Sequence, residues 1–138
     1  MLAQRIDALP GWRALNDVET AIGIVPLVGV GPAGVFAIDL AAMDPDSAHE
    51  LADVPERGLI HAWAQAKHLE RRRVGTEVIP VLALHGGPSG RRRGVEVLPL
   101  SDVDAWLERL PPMLDATQIA LIVSRLQLDA PQTLLLAA

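Results

Sequence analysis

The lengths of its apolar runs limit what this chain can fold into. Val25 to Val30, Val35 to Ala42 and Val78 to Leu84 are short, rich in β-branched residues, and each abuts a turn that carries glycine. A buried strand takes about 4 to 8 such residues, whereas a helix that crosses a bilayer takes about 20. The runs therefore predict strands of a soluble sheet, and no membrane-spanning helix is expected. Met1 to Pro10 is interrupted by Gln4, Arg5 and Asp7 and has no continuous apolar stretch, so it does not read as a secretory signal. The cytoplasm is the expected compartment. At 138 residues the chain has the length of one domain, 1-138, with 130-138 as a tail; Leu134 to Ala138 is left without a reading.

Around these strands the spacing supplies helices. Leu2, Ile6 and Leu9 recur at helical spacing and stop at Pro10-Gly11. Trp12 to Val18 predicts a first strand and Ala21 to Val30 a second. Pro26 removes a backbone donor there, so the second strand should be an edge or carry a bulge. Gly31-Pro32-Ala33-Gly34 predicts a turn, returning as a strand at Val35 to Leu40 to make a hairpin. Met43 to Arg57 reads as a disordered loop with one helical turn. Gly58 to Arg73 reads as a helix whose last turn carries Arg71, Arg72 and Arg73, where cations suit the dipole. After Val78 to Leu84 come the loop His85 to Gly90 and a strand near Val95 to Leu98. Ser101-Asp102-Val103-Asp104 resembles a capping box opening a helix to Leu110, and Asp115 should cap a last helix to about Leu128. Strands flanked by helices in this order predict a layered α/β domain with a central mixed sheet of about five strands.

Composition removes several functions. The absence of cysteine excludes disulfides, thiolate metal sites and cysteine nucleophiles. A formal net charge of −5 disfavours general attraction to phosphate, and three Trp, one Phe and no Tyr leave little for stacking on bases. Nucleic acid would need a local basic patch. The two basic clusters are Arg71, Arg72, Arg73 and Arg91, Arg92, Arg93, which become candidate contacts to nucleic acid or a protein partner only if they share one face.

The segment Val28-Gly29-Val30-Gly31-Pro32-Ala33-Gly34-Val35-Phe36-Ala37-Ile38-Asp39 resembles the nuclease-related (NERD) family, in which a Val-Gly-Pro-Gly-Val-Phe-like hairpin ends in an acid. Leu9 to Val18 is similar to that family's first strand, and the later helices and strands keep its order over nearly the whole chain. The resemblance implies a restriction-endonuclease-like fold and Mg²⁺-assisted attack of water on a phosphodiester. It also implies a Gly-Glu pair in the first helix, an Asp-His pair before the hairpin and an acid-x-Lys at the end of the returning strand. Here the first helix is too short to hold the Gly-Glu pair, Pro26-Leu27 stands in place of the Asp-His pair, and Ala41 replaces the Lys beyond Asp39. Asp39 is thus the one vestigial candidate for catalysis, and no metal or other cofactor is expected. Mg²⁺ would enter only in a divergent nuclease that recruited Asp44 and Asp46.

Other patterns have plainer explanations. Gly29-Val30-Gly31-Pro32-Ala33-Gly34 fits a dinucleotide fingerprint, but Val35-Phe36-Ala37-Ile38 is apolar and β-branched where a helix must open. His85 to Arg93 is glycine-rich and lacks the Gly-Lys-Ser/Thr of a phosphate loop; it predicts an exposed, flexible tip. His61 and His68 share a helix face without the four-residue spacing and Glu of zinc hydrolases, and no Gly-x-Ser-x-Gly is present. Trp63, Trp106 and Phe36 are expected to pack in the core. The expectation is a catalytically inactive nuclease-related domain serving as a structural or interaction module for a protein partner or a second copy. The alternatives are a divergent metal-dependent nuclease and a nucleic-acid binder that uses the Arg clusters.

Overall fold

The computed structural model describes residues 1–41, 50–72 and 74–137, and side chains as far as Gln127. Asp44, Asp46 and Arg73 lie outside the described residues, as do most of the loop expected after β3 and the side chains of the 130-138 segment. The element order is α1 (Leu2–Asp7), β1 (Arg13–Thr20), β2 (Gly23–Gly31), β3 (Gly34–Ala41), α2 (Glu56–Glu70), β4 (Val78–Leu84), β5 (Gly90–Arg92), β6 (Val95–Pro99), α3 (Val103–Arg109) and α4 (Ala116–Ala137). Short 3-10 turns at Leu51–Asp53 and Leu100–Asp102 precede α2 and α3. The strands form one mixed sheet in the order β1-β2-β3-β4-β6-β5. The three layers arise from the burial pattern. One face packs Val28, Val30, Val35 and Ala37 against Ala66 and Leu69 of α2 and against Ile119, Ile122 and Leu126 of α4. The other packs Phe36, Ile38, Val81 and Leu98 beneath Ile6 of α1 and Val103 and Leu107 of α3. Phe36 lies between Trp12 and Trp106, with ring centroids 5.7 and 5.6 Å away. Trp63, expected in the core, is 47% exposed on α2.

The β2–β3 hairpin closes with Gly31 opposite Gly34, as the turn chemistry predicts. Gly31 is required by close approach, since a Cβ there would lie 2.1 Å from the Trp12 ring. The dinucleotide-like glycines therefore belong to a turn, and the Pro32 carbonyl accepts hydrogen bonds from the Met113 and Leu114 N–H groups.

Pro26 behaves differently from expectation. β2 is an interior strand, yet its pairing with β3 begins only at Leu27. Opposite Pro26, Asp17 adopts a left-handed conformation (φ 53°), and this position drops out of an otherwise unbroken β1–β2 ladder. Leu15 and Val18 both face the α2/α4 core, and so do Val25 and Val28, three residues apart where alternation demands two. Both strands change phase at the same place, so cross-strand partners stay matched while the faces swap.

A sixth strand, β5, lies inside the segment expected to be a flexible tip. It pairs antiparallel with β6 through a two-residue turn, Arg93-Gly94, with positive φ at both residues (51° and 78°), as a primed hairpin turn requires. The helix expected to end on Arg71 to Arg73 instead stops at Glu70, with Lys67 and His68 in its last turn. Asp115 caps α4 as expected. Its carboxylate accepts from the Gln118 N–H at 2.8 Å, and Gln118 Oε1 accepts from the Asp115 N–H at 2.9 Å. The capping box expected at Ser101 to Asp104 does not form; no side chain caps α3, and the 3-10 turn occupies its place.

Candidate functional site

Asp39 sits near the end of β3, on the face covered by α2, where β3 and β4 run parallel. The sequence of α2 decides what meets it. Leu59, Ala62, Ala66 and Leu69 recur at helical spacing and are buried against the sheet. His61 and Gln65, four residues apart, lie along one flank of that stripe. His61 Nε2 is 4.0 Å from Asp39 Oδ2 and 3.0 Å from Gln65 Nε2. Gln65 is 3% exposed, and its amide N–H₂ also donates to the Ile24 carbonyl of β2 at 3.2 Å. Its Oε1 is buried and has no hydrogen-bond partner among the described residues. Burial pushes the Asp39 carboxyl above its ordinary pKa, against the opposing pull of the His61 charge and of a hydrogen bond from the Leu40 N–H.

The other positions singled out by resemblance hold packed apolar groups. Leu27 is 3% exposed in the cluster that holds Phe36 and Ile38. Ala41, two residues beyond Asp39, packs against the cluster of Val54, Leu59, Ala62 and Leu84. Among the described residues no group of three or more His, Asp, Glu or Cys side chains is placed to hold a metal. Mg²⁺ demands hard oxygen ligands in octahedral geometry, and one half-buried carboxylate flanked by an imidazole and an amide does not fit it.

The two arginine clusters are not brought together. Past the end of α2, Arg71 is exposed and Arg72 donates to the Glu19 carbonyl on β1. Arg91, Arg92 and Arg93 lie on β5 and its turn. β1 and β5 are opposite edges of the sheet. Arg91 Nε meets Glu96 Oε1 at 2.9 Å, directly across the β5–β6 pair. Arg93 meets Glu56 at 2.6 Å, and Arg92 Nη1 donates to the carbonyls of Leu51, Ala52 and Val54 at 3.3, 3.0 and 2.7 Å. These cations tie the 3-10 turn and the start of α2 to the β5 edge. A groove of about 630 Å³ runs along β1 from Ala14 to Ala21 beneath Arg72, Leu126 and Gln127 and does not include Asp39. His68 is half-buried and takes no part in the Asp39 cluster.

Sequence reasoning singled out Asp39, set His61 aside together with His68, and passed over Gln65. The available signal was positional: Gln65 falls three residues after Ala62 and four before Leu69, inside the apolar stripe, where a polar side chain is unusual.

No family model matches this chain, and no curated protein matches it. Among solved structures, it is similar to the crystal structure of a repair endonuclease from Pyrococcus abyssi, at a TM-score of 0.45 and 16% sequence identity. The match covers 81% of this chain and 46% of that one, so the chain spans less than half of the endonuclease's length. No described helix is long and apolar enough to cross a membrane.

Proposed function

We propose that this chain is a restriction-endonuclease-like domain of the nuclease-related kind that does not cut nucleic acid and serves as an interaction module, for a protein partner or a second copy of itself. The observation that carries this reading is the packing of apolar side chains where the resemblance calls for a metal ligand and a lysine. Leu27 is buried among Phe36 and Ile38, and Ala41 lies against Val54 and Leu59. With Pro26-Leu27 and Ala41 at those positions, the chain lacks there both the charge that would fix Mg²⁺ and the amine that would orient water. The separation of the arginine clusters, and their use in internal ion pairs and carbonyl contacts, weighs against a continuous phosphate-binding surface. Ile60 and Trp63 present apolar surface on α2 at 58% and 47% exposure, which suits contact with another protein.

The test is incubation of the purified chain with single- and double-stranded DNA and RNA in Mg²⁺, Mn²⁺ or Zn²⁺. The expected outcome is no metal-dependent cleavage. Cleavage abolished by Asp39→Asn would overturn the proposal.

A further inference from the structure

The outer face of α2 joins apolar surface to a surplus of cations. Trp63 is half-exposed yet held in place: Lys67 Nζ lies over its ring, 5.9 Å from the centroid, and its pyrrole edge stands beside Gly94 of the β5–β6 turn, where a Cβ would meet it at 3.7 Å. Leu59, Ile60, Trp63 and Arg93 line a hollow of about 250 Å³. That is smaller than the roughly 300 to 1,000 Å³ of small-molecule pockets and leaves room for one large apolar side chain. At helical spacing Arg57 neighbours Ile60, and Lys67 neighbours Trp63 and Arg71. The acids of this face are already engaged, Glu56 by Arg93 at 2.6 Å and Glu70 by Lys67 at 3.1 Å. The Arg93–Glu56 pair is exposed, so holding it adds little stability, and the guanidinium has further N–H groups to donate to a second carboxylate. Arg57 and Arg71 are exposed and make no ion pair among the described residues, on a chain whose formal net charge is −5.

We propose that this face binds an acidic segment of a partner protein, with one large apolar side chain in the hollow beside Trp63 and flanking carboxylates on Arg93, Arg57 and Arg71. The proposal rests on the interaction-module reading and names the chemistry of the partner. Charge complementarity selects that occupant. In a symmetric dimer built on this face the same cations would meet across the two-fold axis, which opposes a second copy. Lys67 and Gly94 take one face and one edge of the Trp63 indole, which obstructs the stacking of a base. Ile60 and Trp63 alone offer little apolar area to a membrane, whose hold on a helix grows with the area buried. Arg57 and Arg71 lie roughly 21 Å apart at 1.5 Å per residue, a span that about six extended residues of a partner cover.

The test is selection of short random peptides displayed on phage against the immobilised full chain, followed by fluorescence polarisation with the enriched peptide. Enriched sequences are expected to carry a large apolar residue among Asp and Glu, and their affinity should weaken with added salt. It should fall about tenfold or more in Trp63→Ala and about threefold or more in Arg57→Glu, and stay unchanged in Leu121→Ala, which removes a similarly exposed apolar side chain from α4. Trp63 is half-exposed, so an unchanged far-UV spectrum is expected of its variant, and Arg57→Glu alters a side chain with no internal ion pair to lose. No enrichment, or enriched sequences without acids, would overturn the proposal. Binding indifferent to both Trp63→Ala and Arg57→Glu would overturn it too, while leaving the interaction-module reading intact. Self-association in sedimentation velocity that Trp63→Ala abolishes would overturn it in favour of a second copy, and binding of single-stranded DNA or phosphatidylglycerol vesicles that Trp63→Ala abolishes would do so in favour of nucleic acid or membrane.

Discussion

At the residue scale, Asp39 carries the clearest energetic signature. Its pKa is raised in the fold, so the native state holds its proton to a higher pH than the unfolded chain does, and ionisation costs stability. That cost is absent below the ordinary value of 3.8 and complete once the pH passes the raised one. Asp39→Asn should therefore raise the melting temperature at pH 7, and the gain should vanish as the pH falls towards 3.8. A variant less stable at pH 7 would show that the His61 contact outweighs burial. Asp39 was legible in the sequence because the resemblance places an acid at the end of the strand that returns from the hairpin. Gln65 showed only as a polar residue inside the apolar stripe of α2; its contacts with His61 and Ile24 depend on the angle at which α2 is rotated over the sheet, which tertiary packing sets. Leu27 and Ala41 were legible as departures from a pattern, but only the packed structure shows that Leu27 is in the core and that Ala41 packs against its edge.

Elements were legible where periodicity is strong and obscure where a turn or an ion pair creates the structure. The β2–β3 hairpin, α2 and the Asp115 cap come directly from spacing and turn residues. β5 does not, since Gly90-Arg91-Arg92 has no apolar alternation. It becomes a strand through the Arg93-Gly94 turn, the Arg91–Glu96 cross-strand pair and the hold of Arg92 on three carbonyls. Arg92→Ala should release the 3-10 turn Leu51–Asp53 at a cost of roughly 1.5 to 3 kcal/mol, the usual range for hydrogen bonds to a charged group. Hydrogen exchange would register this as faster exchange at Asp53 and Val54, whose N–H groups bond within that turn, with α4 unchanged. Unchanged protection there would mean that Leu51 packing holds the turn without Arg92.

For the whole molecule, the two ends of the sheet are both closed. On β1 the Ala14 N–H is taken by Asp7 Oδ1 at 3.0 Å, the Glu19 carbonyl by Arg72, and Asp17 breaks the strand between them. On the far side, β5 is three residues long and bound by its arginines. Such edges resist adding another strand. Combining Asp7→Ala with Arg72→Ala should increase concentration-dependent self-association in sedimentation velocity relative to the parent chain. No change would place the barrier in the Asp17 break alone. That break also limits how the hairpin can lengthen or shorten. Removing one residue from β1 alone, or from β2 alone, would mismatch every partner beyond the deletion, whereas losing Asp17 and Pro26 together would keep each remaining pair and restore simple alternation. The two strands are tied as a couple, and a change of length acceptable to one is acceptable only when the other makes it too.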